Sequence, residues 1–159
     1  MNIRIICVGK VKEAFYRDAI AEYTKRLSAY CKTEIVEVAD EKTPENASQA
    51  VTGAIKKTEG ERILSKMKND WYTVVLAING KRYDSVGFAK AIDGLANSGK
   101  SNIQFIIGGS LGLSDEVNKE ADLLLSFSDM TFPHQLMRVI LTEQLYRAFK
   151  IIKNEPYHK

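Results

Sequence analysis

The chain contains few of the residues from which metal centres and disulfide-bonded folds are built. Its 159 residues include two cysteines, Cys7 and Cys31, and two histidines, His134 and His158, without the spacing of a metal-ligand motif. Cys7 lies in a strand-like run and Cys31 follows a helix-like one, so they form no disulfide framework. We therefore predict reduced packing cysteines, a cytoplasmic protein and no metal.

Long apolar runs are also missing. The longest, Val74–Ile78, is far shorter than the roughly 20 residues of a membrane span. The N-terminal stretch Ile3–Val8 is interrupted by Arg4 and lacks the length and cleavage site of a signal peptide, so we expect no targeting segment and no membrane partner. The apolar content of 45% nevertheless suffices for a real core, which excludes a disordered or fibrous protein.

A strong charge of either sign is absent too, because 23 basic and 20 acidic residues leave a net charge of +3. The excess is confined to residues 130–159, where five basic residues (Arg138, Arg147, Lys150, Lys153, Lys159) accompany two acidic ones (Glu143, Glu155). Charge on a helix usually serves solvation, and a chain end is frayed by default. The alternative is that a basic helix meets phosphates and that Tyr157 and His158 stack on an unpaired RNA base.

Short β-rich runs alternate with amphipathic segments along the whole chain. The pattern predicts strands at Asn2–Val8, Thr33–Val38, Tyr72–Ile78, Ile103–Ile107 and Leu123–Phe127. It predicts helices at Glu13–Tyr30, Asn46–Met67, Ser85–Asn97, from Ser114, and from Thr131-Phe132-Pro133 to about Lys153, with Asn79-Gly80 turning the chain. The two nearly all-apolar strands are typical of the centre of a parallel sheet. We predict a three-layer α/β fold in which residues 1–159 form a single domain.

The last predicted helix has two unlike faces. At about 100° per residue, one face has the composition of a core: Met137, Ile140, Leu141, Gln144, Leu145, Ala148, Ile151 and Ile152. The opposite face mixes charged residues, among them Arg138 and Arg147, with apolar Leu136, Val139 and Tyr146. This is more apolar area than a solvated face carries, so we expect a loop or a second subunit to cover it.

Two strand-to-helix turns are candidates for a ligand site, because open α/β sheets bind ligands at the carboxyl ends of their strands. The turn Gly108–Gly112 either presents backbone N–H groups to a ligand or is only a tight turn that needs positive φ. The turn Phe127–Pro133 offers aromatic rings for an apolar pocket, although its polar members could instead cap the last helix: Ser128, Asp129 and Thr131. We interpret His134, which follows, as a surface residue rather than a base.

Six motifs, in one order over the full chain, carry a resemblance to a known family. They are Val-Gly-Lys-x-Lys-Glu (Val8–Glu13), Leu-x-x-x-Gly-Lys (Leu76–Lys81), Ile-Gly-Gly-Ser-x-Gly-Leu (Ile107–Leu113), Leu-Ser-Phe-Ser-x-Met-Thr-Phe-Pro-His-Gln (Leu125–Gln135), Glu-Gln-x-Tyr-Arg-Ala (Glu143–Ala148) and Pro-Tyr-His-Lys (Pro156–Lys159). Together they resemble the RlmH family, bacterial SPOUT methyltransferases that act on N3 of a pseudouridine in 23S ribosomal RNA. The resemblance implies an α/β domain with a C-terminal trefoil knot, which periodicity cannot show, and a homodimer with the S-adenosylmethionine site near its interface.

The resemblance also implies roles for individual residues. The positions that match the family's cofactor site are Leu76, Gly108, Phe127, Ser128, Asp129, Met130, Thr131 and Phe132. Backbone contact is the expected role of Asp129. The positions that match residues used at the substrate are Arg147, Tyr157 and His158. The implied methyl donor is S-adenosylmethionine without a metal, and the implied partner is 23S rRNA within the assembled ribosome.

Methyl transfer from a sulfonium to nitrogen needs no covalent enzyme intermediate, but N3 of pseudouridine must first lose its proton. We hypothesise that Arg147 stabilises the developing negative charge and that His158 or Tyr157 positions the base or relays the proton. Two alternatives remain open at this point. One is a non-catalytic RNA-binding or ribosome-assembly protein with the same fold, and the other is a nucleotide-binding α/β regulator.

Overall fold

The computed structural model describes residues 1–159, in which five strands and five helices alternate strictly. The strands are β1 (Asn2–Val8), β2 (Lys32–Val38), β3 (Tyr72–Arg82), β4 (Asn102–Ile107) and β5 (Leu123–Ser126). The helices are α1 (Ala14–Leu27), α2 (Gln49–Leu64), α3 (Ser85–Asn97), α4 (Asp115–Lys119) and α5 (His134–Ile152). The predicted order of elements is confirmed, and most boundaries differ from the predicted ones by three residues or fewer.

All five strands form one parallel sheet in the order β2-β1-β4-β3-β5. The three central strands carry most of the apolar residues, and every residue of β4 from Ile103 to Ile107 is buried. A parallel strand covered on both faces needs side chains of this kind in both directions. The prediction that the two nearly all-apolar runs are central strands is therefore confirmed.

Helices cover both faces of the sheet and divide its core in two. Ile5 and Phe105 point into the larger core, which the sheet forms with α1, α3 and α5. The neighbouring residues Ile6 and Ile106 point into the smaller core beneath α2 and α4, as the alternation of side chains along a strand requires. These layers confirm the three-layer α/β class. None of the helices combines the length and the apolarity that crossing a membrane would demand.

Strand β3 is longer than the sequence predicts. The predicted turn at Asn79-Gly80 lies inside the strand, which continues to Arg82. Leu76 and Lys81 both pair with Leu125 of β5, so the four residues between them bulge out of the ladder. A Cβ atom at Gly80 would lie 2.7 Å from the carbonyl carbons of Leu124 and Leu125, closer than real side chains come. Glycine is therefore needed here for the close approach of two backbones.

Helix α5 buries the centre of its predicted core face, but its polar face contains one error of prediction. The apolar residues at its centre are buried as predicted: Leu141, Leu145 and Ala148. Arg138, predicted to face outward, is only 1% exposed. Its Nη1 lies 2.7 Å from Oε1 of Glu37, and its Nη2 donates to the carbonyl oxygens of Val8 and Gly9, both at 2.7 Å. Arg138 thus ties α5 to the carboxyl ends of β1 and β2.

Candidate functional site

A cavity of about 680 Å³ opens at the carboxyl ends of β3, β4 and β5. Its walls come from three stretches of chain: residues 76–78 of β3, residues 107–113 after β4, and most of residues 125–134 after β5. The volume falls in the range of small-molecule sites. Both turns that the sequence singled out therefore meet in one place, at the edge of the sheet where α/β proteins bind ligands.

The glycine-rich turn after β4 has the backbone conformation that its sequence suggests. Gly112 has φ of +82°, a left-handed conformation that glycine adopts without strain, and its N–H donates to the carbonyl oxygen of Gly109 at 3.1 Å. A Cβ atom at Gly108 would lie 2.9 Å from Cγ of Leu113. The tight-turn interpretation is therefore confirmed. The turn also lines the cavity, and binding of a ligand by its backbone N–H groups stays a prediction.

Ser128 in the turn after β5 forms hydrogen bonds with neighbouring residues. Oγ of Ser128 accepts a hydrogen bond from the N–H of Met130 at 3.0 Å, and its carbonyl oxygen accepts one from the hydroxyl of Ser126 at 3.2 Å. Helix α5 begins after Pro133 without a side-chain cap, so the interpretation of the polar residues as helix caps is wrong. The Ser128 side chain and carbonyl therefore bond within the turn, which brings both apolar side chains and hydroxyl groups to the cavity.

Seven of the eight predicted cofactor positions line the cavity: Leu76, Gly108, Phe127, Ser128, Met130, Thr131 and Phe132. Phe127 also packs edge-on against Phe88, with ring centroids 6.5 Å apart, whereas Met130 is 72% exposed at the rim. Asp129 is absent from the lining, and its carboxylate pairs with the exposed guanidinium of Arg82. The side chain of Asp129 is thus engaged outside the cavity.

His134 is a cavity residue that the sequence reasoning assigned to the surface. It is half-buried in the first turn of α5, where it lines the cavity next to the turn after β5. Burial, together with the positive charge of Arg138, lowers the pKa of its imidazole, so the ring is neutral at neutral pH. The position of His134 directly after a strand-end turn is the feature of the sequence that could have placed it at the cavity.

The three predicted substrate residues form a second cluster, at the other end of α5. Nη1 of Arg147 lies 3.3 Å from Nδ1 of His158, and the guanidinium carbon lies 4.7 Å from the centre of the Tyr157 ring. Both Arg147 and the hydroxyl of Tyr157 donate to Oε1 of Glu143, at 2.5 Å and 3.0 Å for the shortest contacts. The structure therefore brings these predicted residues together.

The C-terminal tail, residues 154–159, is docked onto α5 rather than frayed. Glu155 accepts hydrogen bonds from Lys150, at 2.6 Å, and from the hydroxyl of Tyr30. The ring of Tyr157 meets that of Tyr146 edge-on, with centroids 4.8 Å apart. Burial, with smaller effects of neighbouring hydroxyl and carboxylate groups, raises the pKa of Tyr157 above its usual range, so its hydroxyl stays protonated.

The two clusters lie far apart within one chain. Thirteen positions of α5 separate His134, at the cavity, from Arg147. At the rise of an α-helix this is a distance of about 20 Å along the axis. The cavity of a single chain therefore holds the predicted cofactor residues but not the predicted substrate residues.

Three of the five basic residues between residues 130 and 159 form ion pairs. Arg138 pairs with Glu37, Arg147 with Glu143 and Lys150 with Glu155. The two remaining basic residues, Lys153 and Lys159, are exposed.

Comparisons with known proteins identify the family and the relatives of this chain. The family model described as predicted SPOUT methyltransferase matches residues 1–158. Proteins named ribosomal RNA large subunit methyltransferase H from an Exiguobacterium species and from Lactobacillus acidophilus are 58% identical to the chain over 159 residues, covering 100% of each. The one from Bifidobacterium adolescentis is 60% identical with the same coverage. A solved structure of a probable methylase family protein from Haemophilus influenzae Rd KW20 is similar in fold, with a TM-score of 0.50 at 13% identity over 96% of this chain and 66% of that one.

Proposed function

The chain belongs to the SPOUT methyltransferase family, and from this premise we propose that it methylates N3 of a pseudouridine in 23S rRNA of the large ribosomal subunit, with S-adenosylmethionine as donor. The observation that carries the proposal is the cavity at the carboxyl edge of the sheet, which unites two distant turns and seven residues at the family's cofactor positions. The full-length relatives support an rRNA substrate by their names. Such a substrate supports a cytoplasmic location.

The lining of the cavity fits S-adenosylmethionine. Apolar walls from Leu76 and Phe127 suit an adenine ring, and the Gly108–Gly112 turn exposes backbone groups for polar parts of the ligand. The bound donor supplies a methyl group already activated on a sulfonium. Titration calorimetry tests this fit and also the alternative of a non-catalytic RNA-binding protein, because that alternative predicts no binding of S-adenosylmethionine.

The second cluster supplies what the acceptor base needs. The guanidinium of Arg147 is suited to stabilise negative charge that develops on the base when N3 loses its proton. Since a guanidinium has no lone pair, the contact between Arg147 and His158 requires Nδ1 of the imidazole to be the acceptor. The ring proton then lies on Nε2. This tautomer supports a role for His158 as a donor that positions the base.

We propose that the enzyme is a homodimer in which the tail of one subunit completes the cofactor site of the other. The distance of about 20 Å along α5 between the two clusters supports this arrangement, because one chain alone leaves them apart. Half-buried Leu136, Val139 and Ile140 lie on the intervening stretch of α5 and offer apolar area to a partner. We also propose that the chain has the C-terminal trefoil knot that the family resemblance implies.

Mass spectrometry of 23S rRNA from a deletion strain tests the reaction and the substrate together. We expect one pseudouridine to lack one methyl group, and we expect the wild-type gene to restore it. Genes with Arg147→Ala or His158→Ala should fail to restore it at normal expression. An unchanged mass of every pseudouridine in the deletion strain would contradict the proposed function.

Mixing two inactive variants tests the shared site. A Gly108→Val chain and a chain that lacks residues 154–159 should each be inactive as homodimers. After subunit exchange, the mixed dimer holds one intact cavity that faces one intact tail, so part of the activity should return. Mixed dimers that form but remain inactive would argue against a tail acting across the interface.

A further inference from the structure

Glu143 is the carboxylate at the centre of the second cluster. Its Oε1 accepts three hydrogen bonds, from Nε and Nη2 of Arg147 at 3.0 Å and 2.5 Å and from the hydroxyl of Tyr157 at 3.0 Å. Its Oε2 accepts one from the side-chain amide of Gln144 at 2.8 Å. The side chain is only 16% exposed, so water competes weakly for these bonds. All of this bonding capacity is directed at the tail cluster and the adjoining residue.

The contact with Glu143 fixes the orientation of the Arg147 guanidinium. A guanidinium is planar, so holding Nε and Nη2 on one carboxylate oxygen sets the plane of the whole group and leaves Nη1 on the opposite edge. Nη1 is the nitrogen that lies beside His158. Glu143 and Arg147 are four residues apart on α5, so the pair is supported by a rigid element rather than a loop.

Tyr157 has no side-chain donor left for a substrate. Its hydroxyl donates to Glu143, and its ring packs between Tyr146 and the guanidinium of Arg147, at 4.8 Å and 4.7 Å. The raised pKa of the hydroxyl also makes Tyr157 unsuited to take a proton from a base at neutral pH. Its evident task is to anchor the tail, which places the exposed side chain of His158 next to Arg147.

We propose that Glu143 is a positioning residue for the methyl transfer, which holds Arg147 and Tyr157 so that Nη1 of Arg147 and the ring of His158 meet the acceptor base already oriented. The inference rests on the proposed function for its reaction. It divides the predicted substrate residues into two kinds: Arg147 and His158 are the groups that touch the base, whereas Tyr157 acts through them together with Glu143.

Single-turnover methylation of ribosomes that lack the modification, at saturating S-adenosylmethionine, is the test. We expect Glu143→Ala to lower the rate about 100-fold, as misplaced catalytic groups do, with unchanged affinity for S-adenosylmethionine. Tyr157→Phe should lower it less, and the double variant should be no slower than Glu143→Ala alone, because the shared bond is already lost. Glu143→Gln should recover part of the rate, since its amide oxygen still accepts hydrogen bonds.

The matched control is Glu155→Gln, which removes the carboxylate that bonds Lys150 and Tyr30 and leaves the contacts of Arg147 and Tyr157 in place. Its rate should stay within about twofold of the wild type if orientation, and not tail docking alone, is what matters. A Glu143→Ala rate near that of the wild type would overturn the proposal. So would independent, multiplying effects of Glu143→Ala and Tyr157→Phe.

A second readout does not depend on activity. In a ¹⁵N spectrum, the Nε–H of Arg147 should exchange slowly with water in the wild type and in Glu155→Gln, and rapidly in Glu143→Ala. Rapid exchange in the wild type would show that Glu143 does not hold the guanidinium. If wild-type enzyme leaves the ribosomes unmethylated, the proposed function fails, while slow exchange would show that the positioning contact itself exists.

Discussion

Arg138→Met removes the buried guanidinium of α5 while keeping most of the volume of the side chain. The two carbonyl oxygens of Val8 and Gly9 lose their donors, at about 1 kcal/mol or more each for buried groups. Glu37 loses its partner as well, but its side chain is 34% exposed, so water recovers part of this loss. The total is about 3 kcal/mol, at the lower end of the range for breaking a buried ion pair.

Urea denaturation followed by circular dichroism measures this cost. For a chain of this size, about 3 kcal/mol corresponds to a fall in melting temperature of about 6–12 °C. The control is Arg147→Met on the same helix. The Arg147 side chain is 24% exposed and pairs with a residue of its own helix, so its loss should cost less, about 1–2 kcal/mol. Equal losses for the two variants would refute the conclusion that burial at the ends of β1 and β2 makes Arg138 the more important contact.

Three further substitutions probe the cavity. Gly108→Val should abolish calorimetric binding of S-adenosylmethionine in a folded protein, because even its Cβ would lie 2.9 Å from Cγ of Leu113; unchanged affinity would exclude this turn from the site. Asp129→Asn breaks an exposed pair with Arg82 and should leave that affinity within about twofold, so a tenfold loss would place the carboxylate at the ligand. Burial lowers the pKa of His134, so the unfolded chain binds the imidazole proton more tightly than the folded chain, and this site makes the free energy of unfolding fall as pH drops below about 6.5. His134→Gln should make that fall less steep in urea denaturation. An equal dependence on pH in the variant and the wild type would contradict the lowered pKa.

The fold was predictable from local patterns where the core dictates them. The nearly all-apolar run Ile103–Ile107 is typical of a central strand and forms one, and Ser114 does cap α4, as its place before two acidic residues predicted. The end of β3 was not predictable in this way. Asn-Gly is a strong turn signal, but at Gly80 the deciding contact is the backbone of β5, which lies more than forty residues further along the chain.

The burial of Arg138 was likewise not predictable from local sequence, for the same reason: it depends on distant residues. A helical wheel places a charged residue on the outer face, because it takes no account of partners from other elements. The partner of Arg138 is Glu37, 101 positions earlier in the chain, and the two carbonyl acceptors come from the end of β1. Burial of this charge therefore depends on which strands end next to α5, a property of the assembled sheet.

The candidate site was also predictable only in part from local sequence. The place of the cavity followed from the rule for α/β sheets applied to two turns, but the pattern could not tell Ser128, which lines the cavity, from Asp129, which does not. That difference depends on Arg82, which reaches the turn from the extension of β3 that the sequence did not predict. The roles of Arg147, Tyr157 and His158 came from the family resemblance, since nothing local shows that a chain end is docked.

The charge balance of the chain now has a structural explanation. The cavity is lined by apolar side chains, glycine backbone and the hydroxyls of serine and threonine, with His134 as its only ionisable side chain, and that ring is neutral at neutral pH. Of the five basic residues beyond residue 129, three are paired with acids and two, Lys153 and Lys159, are not, and a net charge of +3 attracts RNA only weakly from a distance. In the proposed dimer, the methyl donor and the guanidinium that stabilises the base come from different chains. Selectivity for one base would then depend less on net charge than on how rigidly Glu143 orients Arg147 before the substrate arrives.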